Sequence, residues 1–201
     1  LYVVYSLIFR SSYALGVDSF TYAVPFACGG QAVPLALKHS TERIEALGND
    51  ALIVGNAGND LVFSSVRLDA KATPVSGYIQ RNAVQSESRT HGFFYQPQGE
   101  ANGILGLPIL GGSEERPSAA VKYLRNKKLQ LSDLGLLVAS PGKVRDDGCQ
   151  VSCVDWYGNA RPIFIGGRVY ALMGYELVEG RIVDDALVEL RRVNYAPGQR
   201  R

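Results

Sequence analysis

The stretch RPIFIGGRVYALMGYELVEGRIVDDALVELRRV, Arg161–Val193, decides how the rest of the chain is read. It divides into four short apolar runs, Ile163–Ile165, Val169–Met173, Tyr175–Glu179 and Ala186–Val193. They are separated by Gly166-Gly167, by Gly174 and by Gly180 with the polar residues after it. Two glycines between β-rich runs mark a two-residue hairpin, because the favoured turns need positive φ at their central residues. The stretch therefore predicts a four-stranded antiparallel meander. Alternation around Gly166-Gly167 places Phe164, Tyr170 and Leu172 in one core cluster with Trp156 and Tyr157, and leaves Arg161 and Arg168 outside it.

A meander of this size is the unit that propellers repeat around an axis, at roughly 40–50 residues per blade. Other stretches keep its rhythm. In Arg43–Leu68 the runs Ile44–Leu47, Ala51–Val54 and Leu61–Leu68 are joined by Gly48-Asn49-Asp50 and by Gly55-Asn56-Ala57-Gly58-Asn59-Asp60, residues that tolerate turn conformations. A less regular copy has runs at Ile104–Leu110, Ala119–Leu124, Leu129–Leu131 and Leu134–Val138, with the charged loop Gly111–Ser118 after the first. Leu1–Phe9, Ser19–Phe26 and Gln31–Leu37 form a further β-rich group, in which Pro25 and Pro34 point to edge strands or strand ends. Residues 73–103 read as an insertion loop. The expected fold is all-β, built of propeller-like antiparallel meanders. Three to four blades would form a single domain over residues 1–201 or the C-terminal part of a larger propeller; a meandering barrel or sandwich is the alternative. Only Ser132–Val138 or Arg116–Asn126 could hold a short helix.

Composition narrows the function classes. Hydrophobic residues make up 46% of the 201 and charged residues 20%, with a net charge of +2, which is the balance of an ordinary soluble globular protein. Lys and Arg are scattered and matched by Asp and Glu, so the basic footprint of a nucleic-acid binder is missing. No run reaches the roughly 18–20 apolar residues that a membrane-spanning helix needs. The opening Leu1–Phe9 has no charged leader before it and is almost continuously apolar, like a strand buried on both faces with neighbours on both edges. It is expected to lie inside a folded unit of something longer. The chain would then associate with the rest of a longer polypeptide, with a protein partner or with a second copy, and Cys28 could be buried at that contact.

Chemistry-bearing residues are few. Cys149 and Cys153 in DDGCQVSCVDW can close a small disulfide if the chain turns there, and Asp146-Asp147-Gly148 supplies turn residues; such a bond implies an oxidising compartment. QSESRTHGFFYQPQGEANG crowds Glu87, Arg89 and His91 against Phe93, Phe94 and Tyr95, and loops on a rigid sheet are where binding residues tend to sit. The competing view is that these aromatics fill a core while the charges pair at the surface. Asp155 and Trp156 complete the candidate binding set, and convergence of Glu87, Arg89, His91 and Asp155 in one pocket would favour an enzyme. His39 and His91 are the only histidines, and no G-x-S-x-G elbow, P-loop or dinucleotide fingerprint occurs. Asn56, Asn59 and Asp60 are oxygen donors of the kind calcium takes, though their spacing is not that of an EF-hand; turn residues that satisfy their own backbone are the alternative. Asp184-Asp185 and Glu114-Glu115, if on strands, face opposite ways and make poor acid/base pairs.

At VSCVDWYGNARPIFIGGRVYALMGYELVEG, ALGNDALIVG and THGFFYQP, the chain resembles secreted or surface-anchored bacterial β-propeller-domain proteins. The resemblance covers most of residues 40–195. It implies a non-enzymatic extracytoplasmic scaffold or binding module, periplasmic, surface-bound or secreted, that acts through protein or surface interactions. The alternative is a secreted hydrolase or lyase with a site on the propeller face near His91.

Overall fold

A computed structural model describes residues 2–10, 17–26, 30–113, 116–140 and 160–195. Sixteen strands and one 3-10 turn form four antiparallel sheets, and there is no α-helix among the described residues. Consequently no helix among them is long and apolar enough to cross a membrane. The chain groups into two compact units: Leu1–Asn82 with Pro97–Gly103 and Asn126–Ser132, and Ala83–Gln96 with Ile104–Arg125 and Asp133–Arg201.

The first unit holds two sheets. β1 (Tyr2–Arg10), β2 (Val17–Pro25) and β3 (Val33–Leu35) pair in sequence order, so Pro34 lies in an edge strand and Pro25 ends a central one, where a missing N–H is tolerated. Among the described residues β1 pairs with β2, and its Val3 is 48% exposed. β4 (Arg43–Leu47), β5 (Asp50–Ala57), β6 (Asp60–Arg67) and β7 (Thr73–Gln80) form an up-and-down meander. Its first two turns are the two-residue pairs Gly48-Asn49 and Gly58-Asn59, tighter than the connections Gly48–Asp50 and Gly55–Asp60 read from sequence, because Gly55, Asn56 and Ala57 continue β5. Between the sheets lie Ala23, Leu35, Ala51, Ile53, Val66 and Ala72.

Just before β4, residues 40–42 already run along β5. Ser40 N donates to Asn56 O at 2.9 Å, Glu42 N to Val54 O at 2.9 Å, and Asn56 N to Ser40 Oγ at 2.8 Å. The approach is close enough that a Cβ on Gly55 would sit 1.8 Å from Ser40 O.

Residues 73–103 are more than an insertion. They supply β7, then β8 (Ala83–Gln85), the 3-10 turn η1 (Thr90–Gly92) and β9 (Phe94–Pro97). Pro74 and Gly77 weaken the strand signal of β7, which suits its place at a sheet edge. β8 and β9 both pair with β10 (Asn102–Ser113), followed in the same sheet by β11 (Arg116–Lys127) and β12 (Gln130–Val138). The two stretches that could have held a helix are β11 and β12, and the runs Leu129–Leu131 and Leu134–Val138 merge into the one strand β12. The turn joining β11 to β12 belongs to the first unit: Lys128 and Leu129 have φ of 50° and 70°, and the Ser65 and Ser76 hydroxyls each donate to Leu129 O at 2.6 Å.

The deciding stretch of the sequence is the meander it was read to be: β13 (Arg161–Ile165), β14 (Arg168–Met173), β15 (Glu176–Val183) and β16 (Ala186–Asn194), paired in order. Gly166 and Gly167 have φ of 56° and 75°, as the predicted hairpin turn requires. Two details differ. Gly180 does not end a strand but sits inside β15 at a bulge, where a Cβ would lie 2.8 Å from Leu187 Cδ1 and 3.2 Å from Val169 Cγ2. The turn falls instead at Asp184-Asp185, with φ of 50° and 60°, and Asp185 pairs with Arg125 at 2.9 Å.

The second difference is which face of β14 is buried. Val169, Ala171 and Met173 enter the core with Ile104, Val121, Tyr123, Leu134, Leu137 and Val178, while Tyr170 and Leu172 are half-buried on the opposite face. The face that joins Tyr123 of β11 in the core carries the small Ala171 between Val169 and Met173. Phe164 does pack against the cluster, edge-on to Tyr123 with centroids 6.0 Å apart. Trp156 and Tyr157 lie outside the described residues, as do Cys28, Cys149, Cys153, Asp155 and the Asp146-Asp147 pair.

Candidate functional site

Glu87, Arg89 and His91 sit at alternate positions leading into η1, and the tight turn folds all three side chains together. Glu87 is 4% exposed. Its Oε1 accepts from Arg89 N and Arg89 Nε, both at 2.9 Å, and its Oε2 accepts from Arg89 Nη2 at 2.9 Å. A bidentate guanidinium fixes direction as well as charge. His91 Nε2 lies 3.4 Å from Glu87 Oε2. Gly92 allows the closure, since a Cβ there would come within 2.6 Å of Glu87 Cγ.

The aromatics that follow divide their labour. Phe93 is buried, Tyr95 is half-buried, and Phe94 is 53% exposed, with its ring 6.1 Å from that of Phe164. Phe164 in turn rests on Tyr123, whose hydroxyl donates to Tyr170 O at 2.6 Å. An exposed phenylalanine is thus seated on a rigid aromatic stack beside an anchored ion pair.

The hydrogen bonds from Arg89 hold the Glu87 carboxyl below the ordinary carboxylate range. A depressed folded-state value means that this stabilisation is complete above the ordinary glutamate value of 4.5 and is lost as pH falls below it. Because Arg89 is 43% exposed, solvent screens the pair. Glu87→Gln is expected to lower stability at pH 7 by about 1–2 kcal/mol and to flatten the decline in urea midpoint between pH 5 and pH 3, both read from denaturation curves.

Of the calcium candidates, Asp60 has its carboxylate otherwise engaged. Asp60 accepts from Arg81 and, at 3.0 Å, from Asn82 N, so its carboxylate braces the turn after β7. Asn56 donates Nδ2 to Glu42, and Asn59 is an exposed turn residue. Among the described residues no group of three or more His, Cys, Asp or Glu is placed to hold a metal ion.

One pair escaped the sequence reading. His39 Nε2 lies 2.8 Å from Ser64 Oγ on β6, and His39 Nδ1 lies 2.6 Å from Ser40 O. A carbonyl can only accept, so Nδ1 carries the proton and the neutral ring offers its Nε2 lone pair to the Ser64 hydroxyl. Burial lowers the His39 pKa below its usual value, which keeps the ring neutral at pH 7. Nothing in the spacing, twenty-five residues apart, signals the pair; only the register of the segment before β4 against β5 brings the two together.

No family model, curated protein or solved structure matches this chain.

Proposed function

We propose that the chain is an extracytoplasmic binding module of the β-propeller type, whose meanders act as blades and whose ligand is a protein or a cell-surface component. The reading rests on one observation above others: the η1 turn, locked by Glu87 and Arg89, presents His91 and the exposed ring of Phe94 on a stack of Phe164 and Tyr123. Rigid aromatics ringed by polar groups are what binding hot spots are made of. Two sheets of four consecutive strands, β4 to β7 and β13 to β16, support the blade assignment, and the blades belong either to this chain or to a longer one. Pairing of Cys149 with Cys153 would accompany export to an oxidising compartment.

A photo-crosslinking residue in place of Phe94, in cells that make the protein, tests the reading. A discrete adduct at this position, absent when the same residue replaces exposed Ile165, and found in the envelope or secreted fraction, is the expected outcome. Cytoplasmic recovery, or equal adducts at both positions, would sink it.

A further inference from the structure

We propose that Ser64 is an activated nucleophile with His39 as its general base, and that it accepts acyl groups from small activated esters. This goes beyond the binding role and uses residues of the first unit only.

The parts of an activated serine are a hydroxyl, a base within hydrogen-bond reach and a third group that fixes the base. Here they are Ser64 Oγ, His39 Nε2 at 2.8 Å and Ser40 O at 2.6 Å from Nδ1. The third group is itself held. Ser40 is tied to β5 by its N–H to Asn56 O and by its Oγ to Asn56 N, and it lies against the bare Cα of Gly55.

Access comes from the neighbouring strand. Ser64 pairs with Gly77 on the edge strand β7, and Gly77 is exposed. A Cβ at Gly77 would stand 4.0 Å from Ser64 Oγ, so its absence leaves an approach over the strand to a hydroxyl that is otherwise 9% exposed.

In the reaction, Ser64 Oγ bonds to the ester carbonyl carbon while its proton passes to His39 Nε2. The tetrahedral intermediate then expels the alkoxide, which takes that proton and leaves as the alcohol, with the acyl group on Ser64. Water attacks the acyl carbon, gives its proton to His39, and Ser64 departs with that proton restored. Ester and water become acid and alcohol.

The test uses the folded chain with a fluorophosphonate probe, followed by intact mass and peptide mapping. One adduct, mapped to Ser64, is expected in the unmodified protein. It should vanish in Ser64→Ala and form at least about 100-fold more slowly in His39→Gln. Gly77→Leu, on an exposed edge, should keep the circular dichroism spectrum and slow labelling at least about tenfold by covering the approach. Absence of an adduct at Ser64 in the folded unmodified protein overturns the proposal, whatever the variants do. Undiminished labelling in folded His39→Gln or Gly77→Leu also overturns it.

Discussion

Replacing Gly55 by alanine should destabilise the protein by about 3–5 kcal/mol. The new Cβ would fall 1.8 Å from Ser40 O and 2.5 Å from Ser40 C, both backbone atoms that no rotamer change can move. Real Cβ contacts essentially never fall below 3.0 Å, so the Ser40 segment must retreat by more than about 1 Å. Overpacking of this kind costs about 1–3 kcal/mol. Retreat also breaks Ser40 N to Asn56 O and Asn56 N to Ser40 Oγ, each worth about 1 kcal/mol. For a chain of this size the melting temperature should drop by roughly 6–20 °C. Gly77→Ala is the control, because its Cβ would meet nothing closer than 3.3 Å, and it should cost under about 1 kcal/mol. A Gly55→Ala loss no larger than that of the control would show that the segment before β4 does not lie on β5.

The second large effect is expected at Tyr123. Its side chain is fully buried, meets Phe164 edge-on at 6.0 Å, and donates to Tyr170 O at 2.6 Å. Tyr123→Ala leaves a cavity and an unanswered carbonyl, and should cost at least about 4 kcal/mol. Tyr123→Phe keeps the ring and should lose about 1–2 kcal/mol. Burial also pushes the phenol's pKa far above its ordinary value of 10.0. The folded state therefore holds the neutral form, and the contribution is intact below pH 10. Above that the unfolded chain ionises while the folded one does not, so stability falls by up to about 1.4 kcal/mol per pH unit. Urea midpoints at pH 8, 10 and 11 should decline more steeply in the unmodified protein than in Tyr123→Phe. Parallel declines would place the phenol in contact with water.

Much of the all-β architecture was legible because its turns are local. Gly48-Asn49, Gly58-Asn59 and Gly166-Gly167 each lie between two runs that do pair. Whatever depended on packing across sheets was not legible. Gly180 looked like a strand end, yet it is a place where Leu187 and Val169 come too close for a side chain. On β14 the buried face was misjudged because alternation carried through the Gly166-Gly167 turn put Tyr170 and Leu172 inward, whereas the face that joins Tyr123 in the core carries Val169, Ala171 and Met173. The candidate site divides the same way. Glu87, Arg89 and His91 are close in sequence, and the crowding seen there is real in space. His39 and Ser64 meet only through strand register, which composition and spacing do not encode.

The turn between β15 and β16 bears on how such a sequence can change over time. Asp184 and Asp185 both hold the left-handed conformation that glycine or asparagine takes with less strain. Lys128 and Leu129 do the same between β11 and β12. Each such residue carries strain on the order of 1 kcal/mol, an amount the neighbouring ladders evidently absorb. The meander does not need a glycine at every corner, so its corners can mutate while the strands stay paired.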